Sequence, residues 1–531
     1  MGQFNSLADV IRRHAALTPD REALVTDDIG VRYHDLHQQS DLVASALEAS
    51  GVQRGDRVSY LGKNSSEFFY LLIGAAQIGA IIVPLNWRLA VTELLRIIAD
   101  ATPKVLLVGQ GHADIGAEIA VAVPNVTTVA VDSTDAASLP IPLALKTWVG
   151  DALVSPATVS PDDTAMLVYT SGTTGRPKGA MISHRSLLLH LQALAGVAGM
   201  SATSVSISTL PVFHIGGSSW TLAGLWAGCT TIQFRDVVPA TILESIASHK
   251  VTNLIAVPSV IQLLVDALPT VGSDFTSLQR LYYGGGPVSS SVLSKALRAF
   301  DCDFVQGFGM TECALVTALD PKFHDRPELL RSCGRPIADT EVRLVNGGTL
   351  TDVPLGAVGE LWVRSPRMMT GYWNQPEITA ETITSDGWLR TGDAASMDDE
   401  GFLYIRDRLK DMIITGGENV YCAEVENVLM EHPDIVECAV IGVPSEKWSE
   451  TVKAIVVVAS GAVIDPAQVI AFCRRNLAGY KCPTSVEFVT GLPRTPAGKL
   501  QKFILRQPYW SVAPPLGPVH HPMSSGERDH S

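Results

Sequence analysis

One stretch of this chain decides how the rest of the sequence is interpreted: Val168-Tyr169-Thr170-Ser171-Gly172-Thr173-Thr174-Gly175-Arg176-Pro177-Lys178-Gly179. From Tyr169 onward, every residue except Arg176 and Pro177 offers a hydroxyl group, an unblocked glycine amide or a lysine ammonium, which are the groups that hold phosphate oxygens. A Walker A loop is excluded, because Pro177 falls where that pattern requires its second glycine. The stretch therefore predicts a nucleotide-binding loop of a different kind.

Length and composition predict a protein of several folding units. The chain has 531 residues, of which 46% are hydrophobic and 18% charged, so it can bury more than one sizeable core. Its formal net charge of -14, from 40 basic and 54 acidic residues, excludes broad nucleic-acid binding, which needs a basic face. The cysteines include no Cys-x-x-Cys pair and no histidine cluster has zinc spacing, so we expect reduced cysteines in a cytoplasmic protein.

No segment of the sequence has the length of a membrane span. Residues 71–85 form the longest apolar segment, which is shorter than the about 20 residues needed to cross a bilayer. The basic pair Arg12-Arg13 interrupts any apolar signal peptide. The basic, partly apolar residues 88–96 are better explained as a solvated helix face than as a membrane contact. Peripheral membrane contact, N-terminal modification and homodimer formation are left open.

Strands and helices alternate in two runs, at residues 57–108 and 230–305, and this rhythm predicts an α/β fold with two doubly wound parallel sheets. A strand over 164–169 leads into the glycine-rich loop, and a helix over 185–196 follows. The loop is therefore expected at the carboxyl end of a strand, where α/β proteins bind ligands. Beyond residue 331, short strands separated by Gly and Asp predict a smaller β-rich subdomain.

After residue 407 the pattern becomes α+β again. We therefore predict a large N-terminal domain over residues 1–407, a small α+β domain over 408–510 and a disordered, proline-containing tail over 511–531.

Seven further stretches, together with the phosphate loop, resemble the adenylate-forming superfamily, which contains acyl-CoA synthetases, luciferases and the adenylation domains of peptide synthetases. They occur in the family's order over nearly the whole chain: Pro211-Val212-Phe213-His214, Tyr283-Gly284-Gly285-Gly286-Pro287, Gln306-Gly307-Phe308-Gly309-Met310-Thr311-Glu312, Leu389-Arg390-Thr391-Gly392-Asp393, Asp407-Arg408-Leu409-Lys410-Asp411, Gly416-Gly417-Glu418-Asn419 and Pro493-Arg494-Thr495-Pro496-Ala497-Gly498-Lys499-Leu500. Any one of them alone fits an ordinary turn or linker, but chance does not explain the series.

The resemblance implies a nucleotide site that binds ATP with Mg²⁺. ATP binding is assigned by this resemblance to Thr170, Ser171, Gly172, Thr173, Thr174, Gly175, Lys178, Gly285, Gly286, Pro287, Gly307, Phe308, Gly309, Met310, Thr311, Asp393, Arg408 and Lys499. The catalytic group is expected to comprise Lys499, Thr311 and Glu312. Glu312 and Thr170 are the expected magnesium residues.

The same resemblance assigns residues to the binding of the acid and of the thiol. The acyl pocket is expected to involve His214, Gly216, Gly217, Trp220 and Tyr283. Coenzyme A is expected near Gly416, Gly417 and Glu418, and the small domain is expected to be mobile about a hinge at Lys410. Trp220 either closes the acyl pocket or belongs to the core.

These assignments imply a ligase that converts a carboxylic acid to acyl-AMP and then to a CoA thioester. Free amino acids are disfavoured, because no carboxylate lies between Pro211 and Gly228 to pair with an ammonium group. Small residues at 215–219 favour a medium- or long-chain fatty acid. An aryl or steroid-derived acid, or delivery to a carrier protein, is the alternative. A luciferase-like oxygenase would share these motifs, whereas a non-catalytic regulator would be expected to lack Glu312 or Lys499.

Overall fold

The computed structural model describes residues 4–131, 144–150, 158–171, 177–271, 274–286, 288, 290–409, 411–415, 418–445, 447–494 and 500–510. The chain divides into two compact units, Met1–Arg406 and Asp407–Ser531, which are described separately below. The predicted tail over 511–531 lies outside the described residues.

The strands of the described residues are numbered in chain order. They are β1 Glu22–Thr26, β2 Ile29–Arg32, β3 Arg57–Leu61, β4 Ile81–Leu85, β5 Val105–Val108, β6 Thr127–Ala130, β7 Thr164–Ser171, β8 Pro177–Ser183, β9 Val205–Ser208, β10 Thr230–Gln233, β11 Asn253–Ala256, β12 Arg280–Gly284, β13 Asp303–Met310, β14 Ala314–Leu319, β15 Arg335–Pro336, β16 Glu341–Val345, β17 Gly359–Arg364, β18 Gly371–Tyr372, β19 Leu389–Met397, β20 Leu403–Arg408, β21 Ile413–Thr415, β22 Glu418–Val420, β23 Ile435–Ser445, β24 Ser449–Val458 and β25 Ser485–Phe488.

The α-helices are numbered in the same way. They are α1 Leu7–Leu17, α2 Tyr33–Ala49, α3 Ser66–Ile78, α4 Val91–Ala101, α5 Ala113–Ala122, α6 Leu145–Trp148, α7 His184–Val197, α8 Ile215–Ala227, α9 Pro239–Ser248, α10 Pro258–Ala267, α11 Ser290–Ala299, α12 Pro376–Thr382, α13 Cys422–Leu429, α14 Pro466–Asn476 and α15 Lys502–Trp510. Short 3-10 turns lie at Leu268–Thr270, Pro321–Phe323, Pro327–Leu329 and Gly479–Lys481.

Two large sheets form the first unit. The seven-stranded sheet has the order β18-β8-β7-β4-β3-β5-β6, and the nine-stranded sheet has the order β15-β14-β13-β12-β11-β9-β10-β1-β2. Parallel pairing joins β7, β4, β3, β5 and β6 in the first sheet, and β1, β10, β9, β11, β12 and β13 in the second. The predicted α/β fold with two wound sheets is therefore confirmed, although both sheets carry antiparallel strands at their edges.

Helices of the first unit share its main core with both sheets. The largest apolar cluster combines side chains of both sheets with those of α2, α3, α7 and α8. In α3, the run Phe68-Phe69 and Leu71-Leu72-Ile73 is buried almost completely around the helix. A helix that is apolar on all sides is stable only when other elements cover every face, which explains why α3 lies in the interior.

The phosphate loop connects two antiparallel strands, which differs from the predicted strand-loop-helix order. Strand β8 pairs with β7 back along its length, so that Thr170 faces Lys178 and Tyr169 faces Gly179. Helix α7 begins only after β8, at His184. The sequence prediction missed β8, because its polar and glycine residues resemble a loop.

A β-rich sheet and the second unit complete the fold. The four-stranded sheet β16-β17-β19-β20 corresponds to the predicted β-rich subdomain. The second unit contains a five-stranded sheet in which β23 and β24 form a long antiparallel pair and β25 runs parallel to β24. Helices α13 and α14 bury Val425, Leu429, Val469 and Cys473 in its core.

Within the described ranges, no helix is both long and apolar enough to cross a membrane. The short basic face considered at residues 88–96 offers little apolar surface, because Leu94 is completely buried in the core.

Two buried histidines of α7 make the first unit sensitive to acid. Burial lowers the pKa of His184 to about 4 and that of His190 to about 4, with Arg367 adding to the effect at His190. The unfolded chain takes up these protons near pH 6.5, so the stability is complete above that pH and falls as the pH drops toward 4. Within that window, each histidine is expected to lower the free energy of unfolding by about 1.4 kcal/mol for every unit by which the pH falls.

We therefore expect His190→Gln to reduce the loss of unfolding free energy between pH 7.5 and 5.0 by about 2 kcal/mol. Urea denaturation at both pH values measures the difference, and His34→Gln at an exposed position is the control. Equal losses for His190→Gln and the unsubstituted protein would show that His190 does not remain neutral in the folded state.

Candidate active site

Three of the segments predicted to carry chemistry lie at one edge of the nine-stranded sheet. Strands β9, β11, β12 and β13 are parallel neighbours, so their carboxyl ends lie side by side. Residues 209–214 follow β9, Gly285 and Gly286 follow β12, and Thr311 and Glu312 follow β13. The fold thus brings together three of the motifs that the sequence separates by up to a hundred residues.

Glycines allow neighbouring backbone segments at this edge to approach closely. A Cβ on Gly284 would overlap the carbonyl oxygen of Gly307, and one on Gly309 would overlap that of Ala314. Gly285 has a φ of +78°, which disfavours side chains, and Gly286 has open space where a Cβ would stand. Bare backbone of this kind can lie against a flat ring such as adenine. Pro287, also assigned to ATP, lies outside the described residues.

Tyr282 faces α8, whereas Tyr283, which the family resemblance assigns to the acyl pocket, faces the other side of the sheet. Tyr283 is completely buried on the opposite face of β12, where its hydroxyl lies 3.1 Å from Nε2 of His324. Tyr282 packs against Trp220, with ring centroids 5.4 Å apart. Adjacent residues of a strand point to opposite faces, so only one of the two tyrosines can face α8.

His214 lies at the N terminus of α8. Its Nδ1 accepts a hydrogen bond from the backbone N–H of Gly216 at 3.3 Å. Gly217 packs so closely on Pro211 that a Cβ would overlap the proline carbonyl oxygen. Glycine at 217 therefore allows the start of α8 to pack closely against the backbone of Pro211.

Trp220 is part of the core. Its side chain is completely buried and its Nε1–H donates a hydrogen bond to Ser206 Oγ at 2.8 Å. Of the two interpretations left open by the sequence, the structure favours packing, with the ring forming a fixed wall next to Tyr282.

Glu312 is buried and oriented by a tyrosine that the sequence analysis did not identify. The Tyr372 hydroxyl donates a hydrogen bond to Glu312 Oε1 at 2.9 Å. Burial and the neighbouring carboxylate raise the pKa of Tyr372, so the phenol keeps the proton that it donates. Thr311, the preceding residue, is also buried at the end of β13.

The phosphate loop is described at its two ends. Thr170 and Lys178 face each other across the β7–β8 pair, and the Lys178 ammonium lies 5.2 Å from the centre of the Tyr372 ring. Residues 172–176, which include four of the predicted ATP contacts, lie outside the described residues, as does the side chain of Ser171. Tyr372 therefore contacts one group assigned to the phosphates and one assigned to the metal.

The available donors fit a magnesium ion bound mainly through nucleotide. Across the described residues, no three His, Cys, Asp or Glu side chains gather into a metal-binding group. Mg²⁺ usually binds one or two carboxylates together with phosphate oxygens and water, so a single buried carboxylate such as Glu312 suits it. Thr170 would add a hydroxyl from the phosphate loop.

The two predicted ribose contacts belong to different units. Asp393 of the first unit is buried and follows Gly392, whose φ is +69°; its own N–H donates to Thr391 Oγ1 at 3.1 Å. Arg408 lies at the end of β20 in the second unit, where its N–H donates to Asp407 Oδ1 at 2.7 Å.

In the second unit, the structure describes the residues on either side of the segment that contains Lys499. Arg494 and Leu500 form an antiparallel bridge, and Gln501 N donates to Pro493 O at 2.9 Å. Residues 495–499, the hinge residue Lys410 and the glycines 416 and 417 lie outside the described residues, whereas Glu418 begins β22 with an exposed side chain.

An ion pair that the sequence analysis missed lies just after that loop. Lys502 Nζ is 2.8 Å from Glu426 Oε1, and both side chains are largely buried. Burial acts to lower the pKa of Lys502, but Glu426 and its other acidic neighbours outweigh it and hold the pKa above its usual range. Lys502 therefore fixes the end of the loop to α13.

The two-sheet first unit, its glycine edge and the small second unit define an adenylate-forming enzyme. The sequence matches the family described as AMP-binding enzyme over residues 11–373 and its C-terminal domain over residues 424–499. The chain belongs to this family of ATP-dependent enzymes. The prediction of an acid–thiol ligase that forms AMP is confirmed as a class.

Known relatives are similar to this chain over nearly their whole length. A fatty acid–[acyl-carrier-protein] ligase of Streptomyces coeruleorubidus is 36% identical, covering 96% of this chain and 97% of that protein. A feruloyl-CoA synthase of an Amycolatopsis species is 37% identical, covering 93% and 97%. The crystal structure of ATP-bound MatB from Rhodopseudomonas palustris has a TM-score of 0.86 at 30% identity, covering 95% of this chain and 99% of that one.

Proposed function

We propose that this protein activates a flat, aryl-type carboxylic acid as its adenylate and transfers the acyl group to coenzyme A. The observation that carries the choice of acid is the packed aromatic pair Trp220 and Tyr282. The sequence alone favoured a medium- or long-chain fatty acid, and the aromatic pair is the reason to prefer the aryl alternative.

We propose that this aromatic pair would limit the depth available to an acyl group. Trp220 is held by its hydrogen bond to Ser206, and the Tyr282 hydroxyl occupies the space where a side chain of residue 307 would stand. A long alkyl chain would have to displace these rings. A flat acid needs less depth, so it could contact the edge of Tyr282 without displacing the rings.

In the first half-reaction, a carboxylate oxygen attacks the α-phosphorus of ATP, and the bond to the β-phosphate breaks to release pyrophosphate. Thr311, Lys178, Lys499 and the hydroxyls and amides of residues 170–175 would stabilise the charge on the phosphate oxygens. Glu312 and Thr170 would hold Mg²⁺, whose charge neutralises phosphate oxygens. Asp393 and Arg408 would bind the ribose.

In the second half-reaction, the sulfur of coenzyme A attacks the acyl carbon, the thiol proton is released to solvent and AMP leaves. We propose that residues 408–510 turn about Lys410 between the two steps, which withdraws Lys499 and presents Gly416, Gly417 and Glu418 to the thiol. No enzyme nucleophile takes part in either step.

A second candidate is a fatty acid delivered to a carrier protein. Its support is the 36% identity to a fatty acid–[acyl-carrier-protein] ligase over 96% of the chain. That relative and the feruloyl-CoA synthase are similarly distant from this chain, so sequence identity alone does not separate the two acids.

The acid preference is tested by varying the substrate and Tyr282 together. We expect kcat/KM for cinnamate and phenylacetate to exceed that for palmitate by at least about tenfold, as pocket size alone can produce. Tyr282→Ala should reverse or erase this ratio, because it removes the wall that stops a long chain. Thioester formation with each acid, ATP and CoA measures the ratio.

Phe304→Leu is the control for the Tyr282 variant, because it opens space below the opposite face of the same sheet. Its acid preference should remain that of the unsubstituted protein. A preference for palmitate before any substitution would contradict the aryl assignment and favour the fatty acid candidate.

A further inference from the structure

The segment 369–373 connects the two sheets at the candidate active site. The backbone N–H of Met369 donates to Glu312 O at 2.9 Å, next to the end of β13. Tyr372 pairs with Ala180 of β8, and the N–H of Trp373 donates to Gly179 O at 2.8 Å. One short segment therefore binds both the strand end that carries Glu312 and the strand that carries Lys178.

The side chain of Tyr372 repeats this connection. Its hydroxyl donates to Glu312 Oε1 at 2.9 Å, and its ring face lies 5.2 Å from Lys178 Nζ. Its N–H donates to Thr379 Oγ1 at 2.8 Å, which fixes the residue against α12. Tyr372 is 7% exposed, so little water competes for these contacts.

Glu312 is an acid and Lys178 is a base, and one tyrosine can contact both side chains. The phenol O–H donates a hydrogen bond to one oxygen of the Glu312 carboxylate and leaves the other oxygen for a hard cation. The electron-rich ring face attracts the Lys178 ammonium without binding it as a carboxylate would. A carboxylate at residue 372 would compete for the lysine charge, and an aliphatic residue would orient neither group.

We propose that Tyr372 is a positioning residue that presents Glu312 to the magnesium ion of MgATP and holds Lys178 toward the phosphates. The proposal rests on the roles assigned to Glu312 and Lys178 in the proposed function. It adds a residue that lies in neither the phosphate loop nor the Gln306–Glu312 motif, and whose hydroxyl touches the acid that those motifs supply.

Nucleotide binding tests the proposal without turnover. ATP affinity is measured by isothermal titration at several Mg²⁺ concentrations, and bound Mn²⁺ is measured by electron paramagnetic resonance. Tyr372→Phe removes the hydroxyl and keeps the ring, so we expect unchanged ATP affinity without metal. The Mg²⁺ concentration that produces half of the increase in ATP affinity should rise about tenfold. This is the low end of the loss in metal affinity that follows removal of a group orienting a metal ligand.

Tyr372→Leu also removes the ring face, so it should weaken ATP binding even without metal, by about threefold as expected for one cation–π contact. The matched control is Tyr33→Phe, since Tyr33 is also buried and its hydroxyl donates to Cys229 O at 2.9 Å, far along the chain from these motifs. Thermal unfolding of each variant reports the stability lost with the hydroxyl.

The outcomes separate this proposal from the function on which it rests. If Glu312→Gln raises the metal requirement and Tyr372→Phe behaves as Tyr33→Phe does, Tyr372 is only a structural brace between the sheets and the proposal is overturned. If Glu312→Gln leaves the metal requirement unchanged, the metal role of Glu312 fails, and the role of Tyr372 fails with it. A shift in both variants supports the proposal.

Discussion

Lys499→Ala is expected to slow acyl-adenylate formation by about a hundred- to a thousandfold, the usual cost of removing one electrostatic contact to a transition state. The lysine ammonium is a compact charge that can bridge the attacking carboxylate and the α-phosphate oxygens. Because the second half-reaction is proposed to proceed with Lys499 withdrawn, thioester formation from synthetic acyl-AMP and CoA should continue at nearly the original rate.

The two half-reactions are measured separately in the same Lys499→Ala preparation. Pyrophosphate release with acid and MgATP reports the first, and thioester formation from synthetic acyl-AMP reports the second. Lys447→Ala, at an exposed position in the same unit, controls for the loss of a positive charge. Equal losses in both half-reactions would contradict the assigned role of Lys499.

Asp393→Ala is expected to raise the KM for ATP by about a hundredfold, because two hydrogen bonds from ribose hydroxyls to a carboxylate would be lost. The substrate 2′-deoxy-ATP makes the test specific. The unsubstituted protein should bind it several-fold more weakly than ATP. Asp393→Ala should hardly distinguish the two nucleotides, because the hydrogen bond from the 2′-hydroxyl has already been lost with the Asp393 carboxylate.

Asp352→Ala is the control for this second variant, since Asp352 is an exposed residue of the same unit. It should keep the preference of the unsubstituted protein for ATP. If Asp393→Ala still discriminates against 2′-deoxy-ATP to the full extent, Asp393 does not bind the ribose 2′-hydroxyl.

Long amphipathic or apolar elements could be predicted from the sequence to within a residue or two. The strand predicted over 164–169 corresponds to β7, Thr164–Ser171, and the helix predicted over 185–196 corresponds to α7, His184–Val197, because their apolar patterns are clear. The β1–β2 hairpin was missed. Its turn residues Asp27 and Asp28 have φ values of 51° and 61°, in a conformation that usually requires Asn or Gly and therefore gave no sequence signal.

The candidate site was predicted wherever one motif supplies its own residues. Tyr372 could not be predicted from the sequence, because it lies 60 residues from Glu312 along the chain. Only the pairing of β18 with β8 brings the two residues together. Tyr283 was predicted for the acyl pocket because the glycine motif begins there, whereas the side of the strand that each tyrosine faces depends on tertiary packing. A glycine or tyrosine pattern identifies a segment but not its orientation.

The most direct test of the two-step ligase is to follow the oxygen of the acid. A carboxylic acid labelled with ¹⁸O in both carboxylate oxygens is incubated with ATP, Mg²⁺ and CoA, and the products are examined by mass spectrometry. Attack of the carboxylate on the α-phosphorus predicts a CoA thioester, unlabelled pyrophosphate and AMP that carries one ¹⁸O atom. Unlabelled AMP, ADP as the nucleotide product, or labelled AMP without a CoA thioester would contradict the account.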